Sequence, residues 1–211
     1  YIRAKESARP EGGSPGESAN PSVPSGSQEP AAGLAGKRIA LCLQAGSDAS
    51  LMADALESYG AGAAFFFTPE EMERQGGTLR RLAAQGQSIG ILVGAGDPDR
   101  TVAQQLEAGN AALFRATCGK TRLAYLQNGG SQAVQDAESA GYLCLRPDLD
   151  RSGQALRSAS NAQDLVRRLA AWRGDAAVWL GDSAAGTGLR AFLSAAKEAG
   201  GSCVSYRETG L

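Results

Sequence analysis

The 211 residues include no histidine. Histidine is the commonest metal ligand and the usual general base near neutral pH, so chemistry that depends on it is excluded. No run of about eighteen apolar residues occurs, so no segment reads as a membrane-spanning helix. Basic clusters are missing too. The 21 Lys and Arg are balanced by 22 Asp and Glu for a net charge of −1, without the basic footprint that nucleic acid or an anionic membrane surface would require. The four cysteines, Cys42, Cys118, Cys144 and Cys203, include no CxxC pair, which excludes a zinc knuckle or a thioredoxin-like motif.

Phosphate-binding loops are also lacking. Gly94-Ala95-Gly96 follows a strand-like run, but Asp99 stands where a dinucleotide fingerprint has its third glycine, and Asp97 would repel a pyrophosphate. Gly181–Gly186 has the outer spacing of a P-loop, yet Thr187-Gly188 replaces the Lys-Ser/Thr pair that holds phosphate and magnesium. No cofactor is expected.

What is present is an ordinary globular composition, 43% hydrophobic and 20% charged, enough for one full-sized domain. Residues 1–36 hold five of the eight prolines among Gly, Ser and Glu, and are expected to form a disordered linker ahead of a domain over 37–211. The chain opens on Tyr1 rather than Met, so an upstream signal or anchor is expected to have been removed, and membrane attachment would run only through it.

From Lys37 onward, strand-like and helix-like runs alternate. Strands are expected at 38–43, 63–67, 88–93, 122–126, 142–145, 176–180 and 203–206, and helices at 49–59, 69–85, 99–117, 131–139, 162–172 and 187–199. Thr68-Pro69-Glu70-Glu71 reads as a capping box with Pro at the first helical position, and Asn161 as an N-cap. Seven strands alternating with six helices imply a parallel sheet with helices outside, open or closed into a barrel. Ligands of either architecture sit at the C-terminal strand ends. Those ends carry Gln44-Ala45-Gly46, Thr68, Gly94–Asp97, Gln127-Asn128-Gly129, Asp148–Asp150 and Gly181-Asp182-Ser183. Cys42, Cys144 and Cys203 fall inside apolar runs and are expected to be buried free thiols. A Cys42–Cys203 bridge is the one pairing left open, since first and last strands adjoin in a closed barrel.

Lys37-Arg38-Ile39-Ala40-Leu41, then Gly46, then Tyr59 through Thr68, resembles the opening of the NodB-homology polysaccharide deacetylases. Leu82-Ala83-Ala84-Gln85-Gly86-Gln87-Ser88-Ile89-Gly90 is similar to that family's A-x-x-G-H-E-I-G stretch, and Gly119–Leu123 followed by Ala140-Gly141-Tyr142 continues the likeness in order. The resemblance implies a distorted seven-stranded parallel (β/α) barrel. It also implies metal-dependent removal of acetyl groups from chitin-like or peptidoglycan-like polymers. The family's functional residues do not carry over. Its Thr-Phe-Asp-Asp-Gly motif falls on Cys42-Leu43-Gln44-Ala45-Gly46, replacing the base aspartate with Gln44 and a metal-binding aspartate with Ala45. The two metal-binding histidines fall on Leu92 and Gly96. Arg-x-Pro-Tyr-Gly falls on Tyr125–Gly129 and keeps only its glycine, and Leu-His-Asp falls on Leu180-Gly181-Asp182, which loses the histidine but keeps the aspartate. Asp148 and Asp150 lie near the position of a later acidic motif.

A deacetylase must polarise a carbonyl, deprotonate a metal-bound water and protonate a leaving amine. Gln44 accepts no proton at neutral pH, Ala45 and Leu92 carry no donor atom, and Gly181 has no side chain. The expectation is therefore a catalytically inactive domain with no catalytic or metal-ligating residue. It would act outside the cytoplasm on a cell-wall glycan or a wall-associated protein, with no nucleic-acid partner. The candidate ligand-binding residues are Gln44, Asn128, Asp148, Asp150 and Asp182. The alternative is a weak or divergent hydrolase of C–N bonds using surviving aspartates, which would need two of Asp48, Asp97, Asp148, Asp150 and Asp182 in one cleft. A third reading is a purely structural domain of a wall-anchored assembly.

Overall fold

The computed structural model describes residues 33–94, 99–154, 156–182, 184 and 186–206. Of the expected linker, residues 1–32 lie outside these. Within its last four residues Leu34 is fully buried, and its N–H donates to Ala199 O at 2.8 Å. The folded body therefore includes residues ahead of Lys37.

Eight strands and seven helices make up the described chain: β1 Arg38–Gln44, α1 Ala49–Tyr59, β2 Ala63–Phe67, α2 Pro69–Arg74, α3 Gly76–Ala84, β3 Ser88–Gly94, α4 Val102–Thr117, β4 Leu123–Gln127, α5 Ser131–Ser139, β5 Leu143–Cys144, β6 Leu149–Asp150, α6 Ala159–Ala171, β7 Ala176–Gly181, α7 Gly186–Glu198 and β8 Ser202–Cys203. Every strand pairing is parallel, in the order β5-β4-β3-β2-β1-β7-β6. Seven parallel strands thus curl into the open half of a barrel with helices around it.

Strands buried on both faces read as continuous apolar runs, and Ala63-Ala64-Phe65-Phe66-Phe67 is buried throughout. Alternate residues serve two cores. Leu41, Leu43, Phe65, Phe67, Ile91 and Val178 face the helices, whereas Cys42, Phe66, Leu92 and Trp179 fill the barrel interior. Inside, Phe66 meets Tyr125 and Trp179 edge-on at centroid distances of 6.1 and 5.6 Å, and Tyr125 lies 4.2 Å from Trp179. Gly90 leaves room for this cluster, since a Cβ there would lie 2.5 Å from the Phe66 ring.

The seventh strand on the path is β6, inside the stretch expected to be a long connection, rather than the C-terminal strand. Leu145 N–H donates to Ala124 O on β4 and Asp148 N–H to Ala177 O on β7, so Arg146 and Pro147 carry the chain from one sheet edge to the other. The C-terminal strand β8 instead pairs with the start of β1, through Arg38–Ser202 and Ile39–Cys203. It wedges in below β2, where Gly62 N–H donates to Cys203 O at 2.9 Å. Position 62 must be glycine there, because a Cβ would lie 2.3 Å from Ser205 N.

Three helices differ from expectation for local reasons; the one expected over 99–117 starts only at Val102, where Thr101 caps it. The helix expected over 69–85 breaks at Gln75, ahead of Gly76-Gly77, whose flexibility weakens a continuous helix. Asn161 is not the cap of α6. Ser158 Oγ accepts from Asn161 N–H, so the helix starts three residues earlier than expected. The capping box at Thr68 and Glu71 forms as expected, and a second forms between Thr101 and Gln104. All four cysteines are free thiols, with Cys118 exposed. A Cys42–Cys203 bridge is ruled out by the pleat: Cys42 points into the barrel and Cys203 packs against the helix-side core.

Candidate functional site

The parallel strands all deliver their C-terminal ends to one mouth. Gln44 ends β1, Gly94 ends β3 and Gln127 ends β4, with Gly94 opposite Gln127 in register. A register shift between Cys42 and Leu43 sets Leu43 opposite Gly181, which adopts φ 56°. That left-handed turn sends the chain outward and leaves Asp182 exposed. A side chain at 181 would be strained by its backbone, and its Cβ would press on Ser152 at 3.1 Å.

Beneath the mouth the barrel is filled, not hollow. Leu92 and Trp179 are each 1% exposed, beside Phe66 and Cys42 at 0%. Tyr125 is half-buried and closes this floor. Its phenol is pushed above the ordinary range first by burial, then by the charge of Asp150. Burial also drives the Cys42 thiol up, so it stays protonated and unreactive. Among the described residues, no three Cys, Asp or Glu side chains come together to hold a metal ion.

The five ligand-binding candidates are placed in three locations. Gln44, Asp150 and Asp182 belong to the mouth. Asp150 receives hydrogen bonds from Ser152 N–H (2.9 Å) and Ser152 Oγ–H (2.7 Å), and pairs in register with Trp179. Asp148 lies two residues before Asp150, just ahead of β6 and toward the strand bases. Its carboxylate accepts from Ala177 N–H at 2.7 Å, extending the β6–β7 ladder, and its charge raises the phenol of nearby Tyr206 after burial and Cys42. Asn128 is exposed at φ 57° and lines a separate cavity outside the barrel, between the tops of α4 and α5. Thr68, which also ends a strand, spends its hydroxyl on capping α2. Asp48 is exposed ahead of α1, and Asp97 lies outside the described residues.

Sequence reasoning missed the aromatic floor. Its signal was faint: Phe66, Tyr125 and Trp179 each occupy an inward position of a strand, but β2 and β7 are buried on both faces, so no polar alternation marks which residues face inward.

A curled sheet of parallel strands in this order, ringed by helices, is the fold of the polysaccharide deacetylases. A polysaccharide deacetylase from Bacillus cereus superimposes with a TM-score of 0.66 over 82% of this chain and 93% of its own, at 14% identity. A peptidoglycan deacetylase from Bacillus subtilis gives 0.64 over 80% and 87%, at 17% identity. A CE4 family pseudoenzyme from Bacillus anthracis gives 0.64 over 80% and 63%, at 16% identity. No protein-family model matches the chain. No curated protein matches it in sequence. The likeness is one of fold, shared by deacetylases and a pseudoenzyme alike.

Proposed function

We propose that this domain is a catalytically inactive relative of the polysaccharide deacetylases that binds a cell-wall glycan outside the cytoplasm. One observation carries the reading: the space under the mouth is packed with apolar and aromatic side chains. Leu92, aligned with a metal-binding histidine, is part of that packing, and an ion there would lose hydration without gaining a ligand. Gln44 brings an amide where the family has a base. Position 181 combines a left-handed backbone with Ser152 close by, so an acid histidine has no relaxed place there. Fold alone does not decide activity, since its neighbours include deacetylases and a pseudoenzyme.

What remains at the mouth suits recognition. Tyr125 is partly exposed beside Trp179, and the strand ends that form the mouth carry the polar side chains of Gln44, Gln127, Asp150 and Asp182. An apolar platform within a polar ring is how proteins commonly hold the alternating faces of a sugar. The extracytoplasmic reading is supported by a peptidoglycan deacetylase among the neighbours of this fold.

Calorimetry with an acetylated glucosamine oligomer, run beside an acetate-release assay with and without zinc, tests the proposal. Binding without acetate release is expected, weakened by Tyr125→Ala. Metal-dependent acetate release that disappears with Asp182→Ala would overturn it in favour of a divergent hydrolase. Failure to bind glycan, with capture of a wall-associated protein through the same mouth, would replace the ligand by a protein partner.

A further inference from the structure

Residues paired in register on parallel strands point to the same side of the sheet, and successive residues alternate. Leu149 on β6 lies opposite Val178, and both pack on the helix-side core. Asp150 lies opposite Trp179, whose ring belongs to the barrel interior, so the Asp150 side chain stands on the interior side as well. One alternation earlier, Asp148 gives its carboxylate to Ala177 N–H and is used up by the sheet. Asp150 is not.

At the strand end Asp150 is exposed and can be reached from the mouth. Ser152 N–H and Oγ–H both donate to its Oδ1, at 2.9 and 2.7 Å, which orients the carboxylate. Its Oδ2 accepts no hydrogen bond among the described residues. No Lys or Arg among them forms an ion pair with it either, and neighbouring Arg151 is committed to Asp164 at 3.0 Å.

Beside this carboxylate lies an aromatic surface. Tyr125 is held with its centroid 4.2 Å from that of Trp179 and 6.1 Å from that of Phe66, and it remains partly exposed. The charge of Asp150 reaches its phenol. An oriented, unneutralised carboxylate next to a partly exposed aromatic ring is complementary to an ammonium carried on an apolar frame. An N-acetyl amide in the same place would bring no charge to Asp150, and its acyl group would meet a floor already filled by Leu92, Phe66 and Trp179.

Resting on the glycan reading of this same mouth, we infer that it selects glycans with free amines. The ammonium of a de-N-acetylated hexosamine sits against Asp150 while the sugar ring lies on Tyr125. Such units are products of N-deacetylation, so a hydrolytic step carried out elsewhere must supply them.

Calorimetry of the full chain in mildly acidic buffer, where the amines are protonated, tests this with trimers of glucosamine, N-acetylglucosamine and glucose in the same linkage. The glucosamine trimer is expected to bind about fivefold to tenfold more tightly than either of the others, and the advantage should shrink with added salt. Asp150→Asn keeps the shape of the side chain and removes its charge, so the three trimers should then bind within about twofold of one another. Asp136→Asn, on the exposed face of α5, removes the same charge away from the mouth and should leave the preference intact. Equal or tighter binding of the acetylated trimer by the parent would overturn the inference while leaving the glycan reading in place. A preference that survives Asp150→Asn, or that is lost equally in Asp136→Asn, would overturn it too. If none of the trimers binds, both readings fall.

Discussion

The two ends of the barrel are built differently. At the base, polar groups are bonded to fixed partners. Lys37 Nζ donates to the carbonyls of Leu169, Ala170 and Trp172 at the end of α6, and Arg38 pairs with Asp175. Gln87 Oε1 accepts from Ala63 N–H at 2.7 Å while its Nε2 donates to Ala61 O. Asn110 ties Thr121 and Tyr142 together. At the mouth, Gln44, Gln127 and Asp182 stand partly or fully exposed, with no such bracket among the described residues, although Asp150 is held by Ser152. Parallel barrels commonly place stability at one end and ligand contact at the other, and the base of this molecule carries the bracketed polar groups expected of the first.

The comparison can be broken by mutation, starting from the filled interior between the two ends. Trp179→Ala removes the largest fully buried side chain and should cost about 3–5 kcal/mol in denaturant unfolding. At the base, Gln87→Ala strands the buried N–H of Ala63 and should cost about 1–3 kcal/mol by the same measurement. Lys37→Ala uncaps α6 and should cost about 0.5–1 kcal/mol, with faster amide exchange confined to the last turn of that helix.

A smaller effect concerns acid. The backbone N–H of Arg38, then its guanidinium, holds the Asp175 carboxyl below its ordinary value of 3.8. A carboxyl whose folded pKa is depressed contributes stability above the unfolded value and loses it as pH falls through the folded one. Asp175→Asn should therefore flatten the decline in melting temperature below about pH 4 and leave its shape near neutrality unchanged. Smallest of all, Gln44→Ala and Asp182→Ala should change stability by no more than about 0.5 kcal/mol. A mouth variant as costly as Gln87→Ala would erase the contrast between the ends.

The sequence announced elements whose signals are local. The β2 run of five apolar residues, the Thr68 capping box and the helix over 49–59 all appear where they were read. Elements made by tertiary pairing were less legible. Strand β6 has two residues and no apolar run of its own, existing because β7 offers an edge. The pairing of β8 with β1 was legible only through barrel closure, which brings first and last strands together, and not from Ser202-Cys203 themselves, since nothing in two residues specifies a partner 164 positions away. The site divided in the same way. Residues following long strands, such as Gln44 and Asp182, were placed at the mouth, whereas Asp148 was misjudged in height because β6 was invisible.

The wedge of β8 beneath β2 also fixes an orientation. Leu34 bonds to Ala199 and Ser202 to Lys37 O, so the first and last described segments of the body run side by side at the base. Any attachment made through the residues before Gly33 therefore joins the body at the pole opposite its mouth. A domain held this way presents Gln44, Asp150 and Asp182 outward, as a lamp on a stalk faces away from its mount.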